Sequence, residues 1–194
     1  MGMNKDNVLK WLELFAEKII ENKDYLSDLD TAIGDGDHGT NMARGVTEVM
    51  KALEDKKPET VTDIFKLTAM TLISKVGGAS GPLYGSAFMG MTKTSMTTDD
   101  LVEILSSGLA DIQKRGKAVS GEKTMIDIWV PVIEALKNGE LTAEKIKTFA
   151  EATKDLKATK GRASYLGERS IGHIDPGAVS SAYLFETMLE AGVK

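Results

Sequence analysis

Asp30-Thr31-Ala32-Ile33-Gly34-Asp35-Gly36-Asp37-His38-Gly39-Thr40-Asn41 decides how the rest of this 194-residue chain is read. Gly34 to Gly39 has the G-x-G-x-x-G spacing of a dinucleotide loop and precedes a helical pattern. That fingerprint needs an apolar strand before it and a parallel sheet around it. Neither is visible, and Asp35 and Asp37 would repel an unscreened pyrophosphate. An EF-hand loop starting at Asp35 fails as well. Gly39 stands where an oxygen ligand is wanted, Thr40 where glycine is required, and Val46 at the bidentate glutamate. What survives is chemical. Glycines between Asp30, Asp35 and Asp37 let the backbone fold the carboxylates towards one point. There they repel unless a proton or cation lies between them. A magnesium site serving a phosphate ligand fits this pattern, because magnesium takes few protein carboxylates and completes its shell with water and phosphate. The plainer alternative is an acidic turn ahead of a capped helix.

Outward from this loop the pattern is helical. Residues 5–21 carry Val8, Trp11, Leu12, Phe15 and Ile19 on one face, with Asn4 or Asp6 as cap. Lys23 to Ile33 reads as an irregular entry into the loop. Further helices are predicted from Gly39 to just before Pro58, over 61–76, from Gly81-Pro82 to about Thr94, and after Thr98, Asp99 or Asp100. Three more run from Lys123 to Leu136 with a kink or break at Pro131, from Thr142 to about Ala158, and from Asp175-Pro176 to about Glu190. That makes eight helical patterns and no period-2 strand. The polar stretch Lys154 to Arg169 is a long connection of the kind that is often functional.

The connections differ in kind. Those at 30–40, 77–81, 116–123 and 160–177 are rich in glycine, while those near 55–61, 94–99 and 137–142 are short and polar. In an up-and-down bundle alternate connections share an end. The glycine-rich set therefore collects at one end, which marks that end as the ligand site.

Composition narrows the classes. The chain has no cysteine, so no thiolate metal site, thiol nucleophile or disulfide. A net charge of −5 argues against nucleic acid or an anionic membrane as the main partner. No apolar run is long enough to span a bilayer, and Met1 to Asp6 lacks the core of a signal peptide. One cytoplasmic domain over 1–194 is expected. Gly116 to Thr124 looks like a Walker A loop with Glu122 inserted, but lacks both the Lys directly after the second glycine and a preceding strand. Gly77-Gly78-Ala79-Ser80-Gly81 could let backbone N–H groups approach a phosphate, or could simply be a tight helix–helix turn. His38 and His173 are the only histidines and could line one site; no Ser–His–Asp arrangement is visible.

Taken together, Gly34 to Asn41, Gly77 to Gly85, Gly121-Glu122-Lys123-Thr124-Met125 and Gly161 to Ala178 resemble the ADP-binding L subunits of dihydroxyacetone kinases, along nearly the whole chain. The resemblance implies an all-α fold, an eight-helix antiparallel up-and-down barrel that holds ADP or ATP with two magnesium ions at one end. It implies Asp30, Asp35 and Asp37 as metal ligands. It implies nucleotide contacts at His38, Gly39, Thr40, Asn41, Ala79, Ser80, Gly116, Met125, Arg162, Asp175, Pro176 and Gly177. Gly161 to Gly172 is similar to a flap over the nucleotide. Phosphoryl transfer asks mainly for positioning and charge stabilisation, so no general base is assigned, and Arg162 is the candidate phosphate stabiliser. A chain of this length resembles the multisubunit type of kinase. There a K subunit holds dihydroxyacetone and an M subunit delivers phosphate from the phosphoenolpyruvate phosphotransferase chain. A nucleotide-loaded regulatory module, or a related helical kinase with another small substrate, are the competing readings.

Overall fold

The computed structural model describes residues 2–194. Its α-helices are α1 Lys5–Glu21, α2 Lys23–Ile33, α3 His38–Lys56, α4 Val61–Lys75, α5 Ser80–Ser95, α6 Leu101–Gly116, α7 Ile126–Lys137, α8 Ala143–Ala152 and α9 Pro176–Glu190. Among the described residues there is no strand, and no helix is long and apolar enough to cross a membrane.

Five of the helices are started by a side-chain cap. Asn4 closes a capping box with Asn7 at the head of α1. The side chains of Thr60, Asp100, Thr142 and Asp175 accept the third backbone N–H of α4, α6, α8 and α9. Pro176 takes the first position of α9, where its missing N–H is not needed.

Three expectations change. Lys23 to Ile33 is a helix, not an irregular entry. Asn22 ends α1 by donating to the Lys18 carbonyl at 3.1 Å and begins α2 by accepting from Leu26 at 2.9 Å. Leu26, Leu29 and Ile33 give α2 a narrow apolar face, hidden in the sequence among Lys23, Asp24, Asp28 and Asp30. Second, α7 starts at Ile126, and Lys123 lies in the turn before it. Pro131 neither breaks nor ends α7. It stands in the second turn, where the missing bond is one to the Asp127 carbonyl. Third, α8 stops at Ala152 and a 3₁₀ turn, Thr153–Asp155, follows. A second 3₁₀ stretch, Arg162–Ser170, kinked at Gly167, interrupts the long connection.

From α3 onwards each helix packs on the next, α1 packs on α3, and α9 returns to α1, so eight helices close a ring. α2 stands outside that sequence against α3 and α9. The ring is filled by side chains. Trp11, Phe65, Tyr84, Phe88, Trp129 and Phe185 are wholly buried, with Trp129 edge-on to Phe185 at 4.9 Å and Trp11 edge-on to Phe65 at 6.3 Å. Each such side chain contributes roughly 1.5–3 kcal/mol by leaving water. The interior is therefore a packed core, and ligand chemistry belongs to the ends.

The two ends are different. At one, Lys5 pairs with Glu59 at 3.0 Å and Asn7 donates to the Gly192 carbonyl at 3.4 Å, which places the start of α1, the α3–α4 turn and the end of α9 together. At the other lie the connections 34–37, 76–79, 117–125 and 153–175.

Candidate metal and phosphate site

The acidic loop is shaped by its two internal glycines. At Gly34 any Cβ would sit 2.1 Å from Asp30 Oδ1, so only glycine leaves room for that carboxylate. Gly36 has φ +77°, a left-handed conformation natural to glycine. With the turn so formed, Asp30 Oδ2 accepts the N–H of Asp37 at 2.9 Å and of His38 at 3.1 Å. Asp30, Asp35 and Asp37 then offer carboxylate oxygens that all lie within 4.8 Å of one another. Burial raises the Asp30 carboxyl above its ordinary range; the two N–H donors oppose this, and the charges of Asp35 and Asp37 add to it. Three hard oxygen donors at such separation suit a divalent cation with open positions.

His38 fastens the loop to the ring. It is 7% exposed, its Nδ1 lies 2.9 Å from Ser80 Oγ, and its Nε2 lies 2.9 Å from Ser180 Oγ. Burial lowers its pKa to about 4. The neutral ring therefore joins the N-terminal ends of α3, α5 and α9. Ser180 continues inwards to the Tyr84 hydroxyl at 2.7 Å, then to Ser181 and to Trp129 Nε1. Asn41 is buried and accepts from Arg44 Nη2 at 2.9 Å, while Arg44 Nε donates to the Lys75 carbonyl at 3.1 Å. This arginine holds the 76–79 turn against α3.

The helices that meet here are open at their N-termini. Neither α3 nor α5 has a side-chain cap, in contrast to the capped α1, α4, α6 and α8 that start at the far end. The backbone N–H groups of Gly39, Thr40, Ser80 and Gly81 have no acceptor within the described chain. Orphan N–H groups at helix starts, with the macrodipole behind them, favour an anion. A carboxylate cluster and an anion-seeking pair of helix ends thus face each other, and a metal–phosphate ligand satisfies both.

The remaining sequence-predicted residues lie around this corner. Ala79 and Ser80 open α5. Gly116 ends α6 against α5, a Cβ there meeting Leu83 Cδ2 at 3.0 Å. Met125 is buried ahead of α7, and a Cβ on Gly177 would come to 3.8 Å from its backbone nitrogen. Asp175 is buried and caps α9 through the Ala178 N–H at 2.8 Å. Arg162 reaches back from the long connection, with Nε 3.2 Å from Asp35 Oδ2. His173 is exposed.

Sequence reasoning missed Ser180, Arg44, Asp127 and the role of Lys123. Asp127 accepts the N–H groups of Gly121 at 2.6 Å and Thr124 at 2.9 Å, and so folds the 117–125 loop. Ser180-Ser181, set in an apolar helix, was the available signal for the buried polar chain.

Residues 32–190 match the family model described as the DAK2 domain. The chain belongs to the DAK2 family. A relative from Listeria innocua, named "PEP-dependent dihydroxyacetone kinase 1, ADP-binding subunit DhaL", is 56% identical over 197 residues, covering 100% of both chains. One from Lactococcus lactis, "PTS-dependent dihydroxyacetone kinase, ADP-binding subunit DhaL", is 60% identical over 185 residues, covering 95% of this chain and 96% of its own. Among solved structures, the C. freundii dihydroxyacetone kinase in complex with AMP-PNP and Mg2+ superposes with TM-score 0.78 at 26% identity, over 98% of this chain and 35% of that one. The DAK2 domain described here thus spans about a third of that longer enzyme. Its all-helical fold is shared with that enzyme.

Proposed function

We propose that this DAK2 domain is the nucleotide-carrying subunit of a multisubunit dihydroxyacetone kinase. ADP and ATP act as a bound coenzyme, held with two magnesium ions at the acidic end of the ring. The single observation that carries the reading is the juxtaposition of three carboxylates, within 4.8 Å of one another, with the free N–H groups at the starts of α3 and α5. Identity above 50% along the full length of relatives named as ADP-binding subunits supports it. So does the AMP-PNP and Mg2+ complex of the C. freundii enzyme.

Asp30, Asp35 and Asp37 would hold the metal. Magnesium in such a site supplies charge: three carboxylates and a diphosphate bring together about six negative charges, of which two divalent ions offset about four. The chain's own groups do the rest. Gly39, Thr40, Ser80 and Gly81 donate backbone N–H groups to phosphate oxygens. Asp30 orients the loop by holding the N–H groups of Asp37 and His38. Arg162 brings a guanidinium to the acidic corner, where it stabilises charge on the phosphate. Gly116, Met125 and the Asp175–Gly177 turn border the rest of the nucleotide, and the 160–172 segment covers it. No side chain is given a proton-transfer role, since phosphoryl transfer depends on placement and charge.

A cytoplasmic K subunit holding dihydroxyacetone and an M subunit delivering phosphate complete the cycle. The test is reconstitution. Protein loaded with ATP and magnesium, mixed with the K subunit and dihydroxyacetone, should yield dihydroxyacetone phosphate while ADP stays on the protein. No product would overturn the kinase reading, and product only from another small hydroxylated substrate would reassign it.

A further inference from the structure

The 153–175 connection leaves α8 and returns to α9 at one neck. Gly172 N–H donates to the Lys154 carbonyl at 2.8 Å, and Asp175 N–H donates to the Thr153 hydroxyl at 3.0 Å. A third tie comes from outside the segment. Lys123, in the turn before α7, is 1% exposed. Its ammonium donates to the carbonyls of Thr153 at 2.5 Å, of Leu156 at 3.1 Å and of His173, with the Lys154 carbonyl at 3.5 Å. The first two belong to the outgoing root and the third to the returning one. Three donors of one ammonium meet three carbonyls.

Two further features bear on this side chain. Among the described residues no carboxylate forms an ion pair with Lys123. Burying a charge is unfavourable unless hydrogen bonds replace its water; the carbonyl cage supplies those bonds, and the charges of Asp175, Asp155 and Asp127 favour the ammonium from further off. An apolar side chain would fill the space without that penalty, but it could not bridge the two roots. The backbone of Lys123 is also strained, at φ +62° in the left-handed region. Glycine would adopt that φ freely.

We propose that Lys123 is a positioning residue for the nucleotide site. Its buried ammonium clasps the neck of the flap, fixing the Arg162-bearing segment and the Asp175–Gly177 turn against the 117–125 loop. The cage it fills takes a free alkylammonium ion of matching size when the side chain is cut back. The functional half of this inference rests on the nucleotide reading above; the mechanical half does not.

Hydrogen exchange in the absence of nucleotide tests the clasp. The reporters are the amides of Ala158, Gly172 and Asp175, bonded to Ser170 Oγ, the Lys154 carbonyl and Thr153 Oγ1, with the amides of α4 and α5 as controls. In Lys123→Met, which keeps most of the volume, the reporters should exchange about tenfold faster or more, as expected for losing hydrogen bonds to a charged donor. The controls should be unchanged. In Lys123→Ala, propylammonium should restore reporter protection and tetramethylammonium should not. Unchanged reporters, an equal loss in α4 and α5, or no rescue by propylammonium would overturn the clasp. Calorimetry with ADP and magnesium tests the positioning. Lys123→Met should bind about tenfold more weakly, and Lys123→Ala should regain affinity with propylammonium. Fast reporters with wild-type affinity would overturn the positioning role. Wild-type protein that fails to bind ADP would overturn the nucleotide reading itself, and the exchange result would stand apart from it.

Discussion

Both ring nitrogens of His38 are engaged by serine hydroxyls, so its imidazole ties the start of α3 to α5 and α9. The sequence marks it as a candidate; only the fold reveals that Ser80 and Ser180, 42 and 142 residues away, meet it. Asp175 is a similar case. Its cap position was readable from Asp-Pro, but its burial was not. That burial raises its carboxyl to about 7; the Ala178 N–H and the charge of Lys123 oppose the rise, and the charges of Asp127 and Asp30 add to it. A raised carboxyl pKa contributes stability that is fully present below the unfolded value of 3.8 and is lost as pH climbs through about 7. Wild-type protein should therefore unfold more easily at pH 8 than at pH 5. Asp175→Asn keeps a capping oxygen and loses the ionisation, so its stability should fall less over the same interval. Urea unfolding at the two pH values checks this, and a steeper fall in the variant would contradict it.

Helices with a broad apolar face were legible, their caps less sharply. Asp175 caps α9 as read; of the alternatives left open, Asn4 caps α1 and Asp100 caps α6, while Thr60, which caps α4, was not named. α2 was missed although Leu26, Leu29 and Ile33 keep the i, i+3, i+7 spacing of a helix, because the stripe is short and set in a charged segment. Its existence depends on packing against α3, and the packing is tight. A Cβ on Gly39 would lie 1.8 Å from the Lys23 carbonyl and 2.7 Å from Ser27 Oγ. Gly39→Ala should force α2 off α3 and cost about 1–3 kcal/mol, the range for overpacking a close contact. A fall in urea midpoint with unchanged helix content would show it, and wild-type stability would mean that α2 is free to shift. The loop before α7 was misread for a related reason. Its shape comes from Asp127 and Lys123 bonding backbone groups, and such bonds leave no periodicity in the sequence.

At the level of the whole ring, the alternation of glycine-rich and ordinary connections foretold that one end would differ from the other. Up-and-down topology then puts the starts of α3, α5, α7 and α9 at the same end as the acidic loop. What the sequence could not supply is the contrast in capping. The helices that start at the far end are closed by their own side chains, while α3 and α5 are left open beside three carboxylates. That pairing of opposite preferences is the physical argument for the proposed metal–nucleotide ligand. Titration calorimetry of ADP into the protein, with magnesium and then with the metal chelated, tests it most directly. Binding should be one to one and should weaken at least tenfold without magnesium. Asp35→Asn, which removes one ligand charge and keeps the shape, should weaken it similarly at unchanged helix content. Equal affinity in all three cases, or no binding in any, would contradict the assignment of Asp30, Asp35 and Asp37.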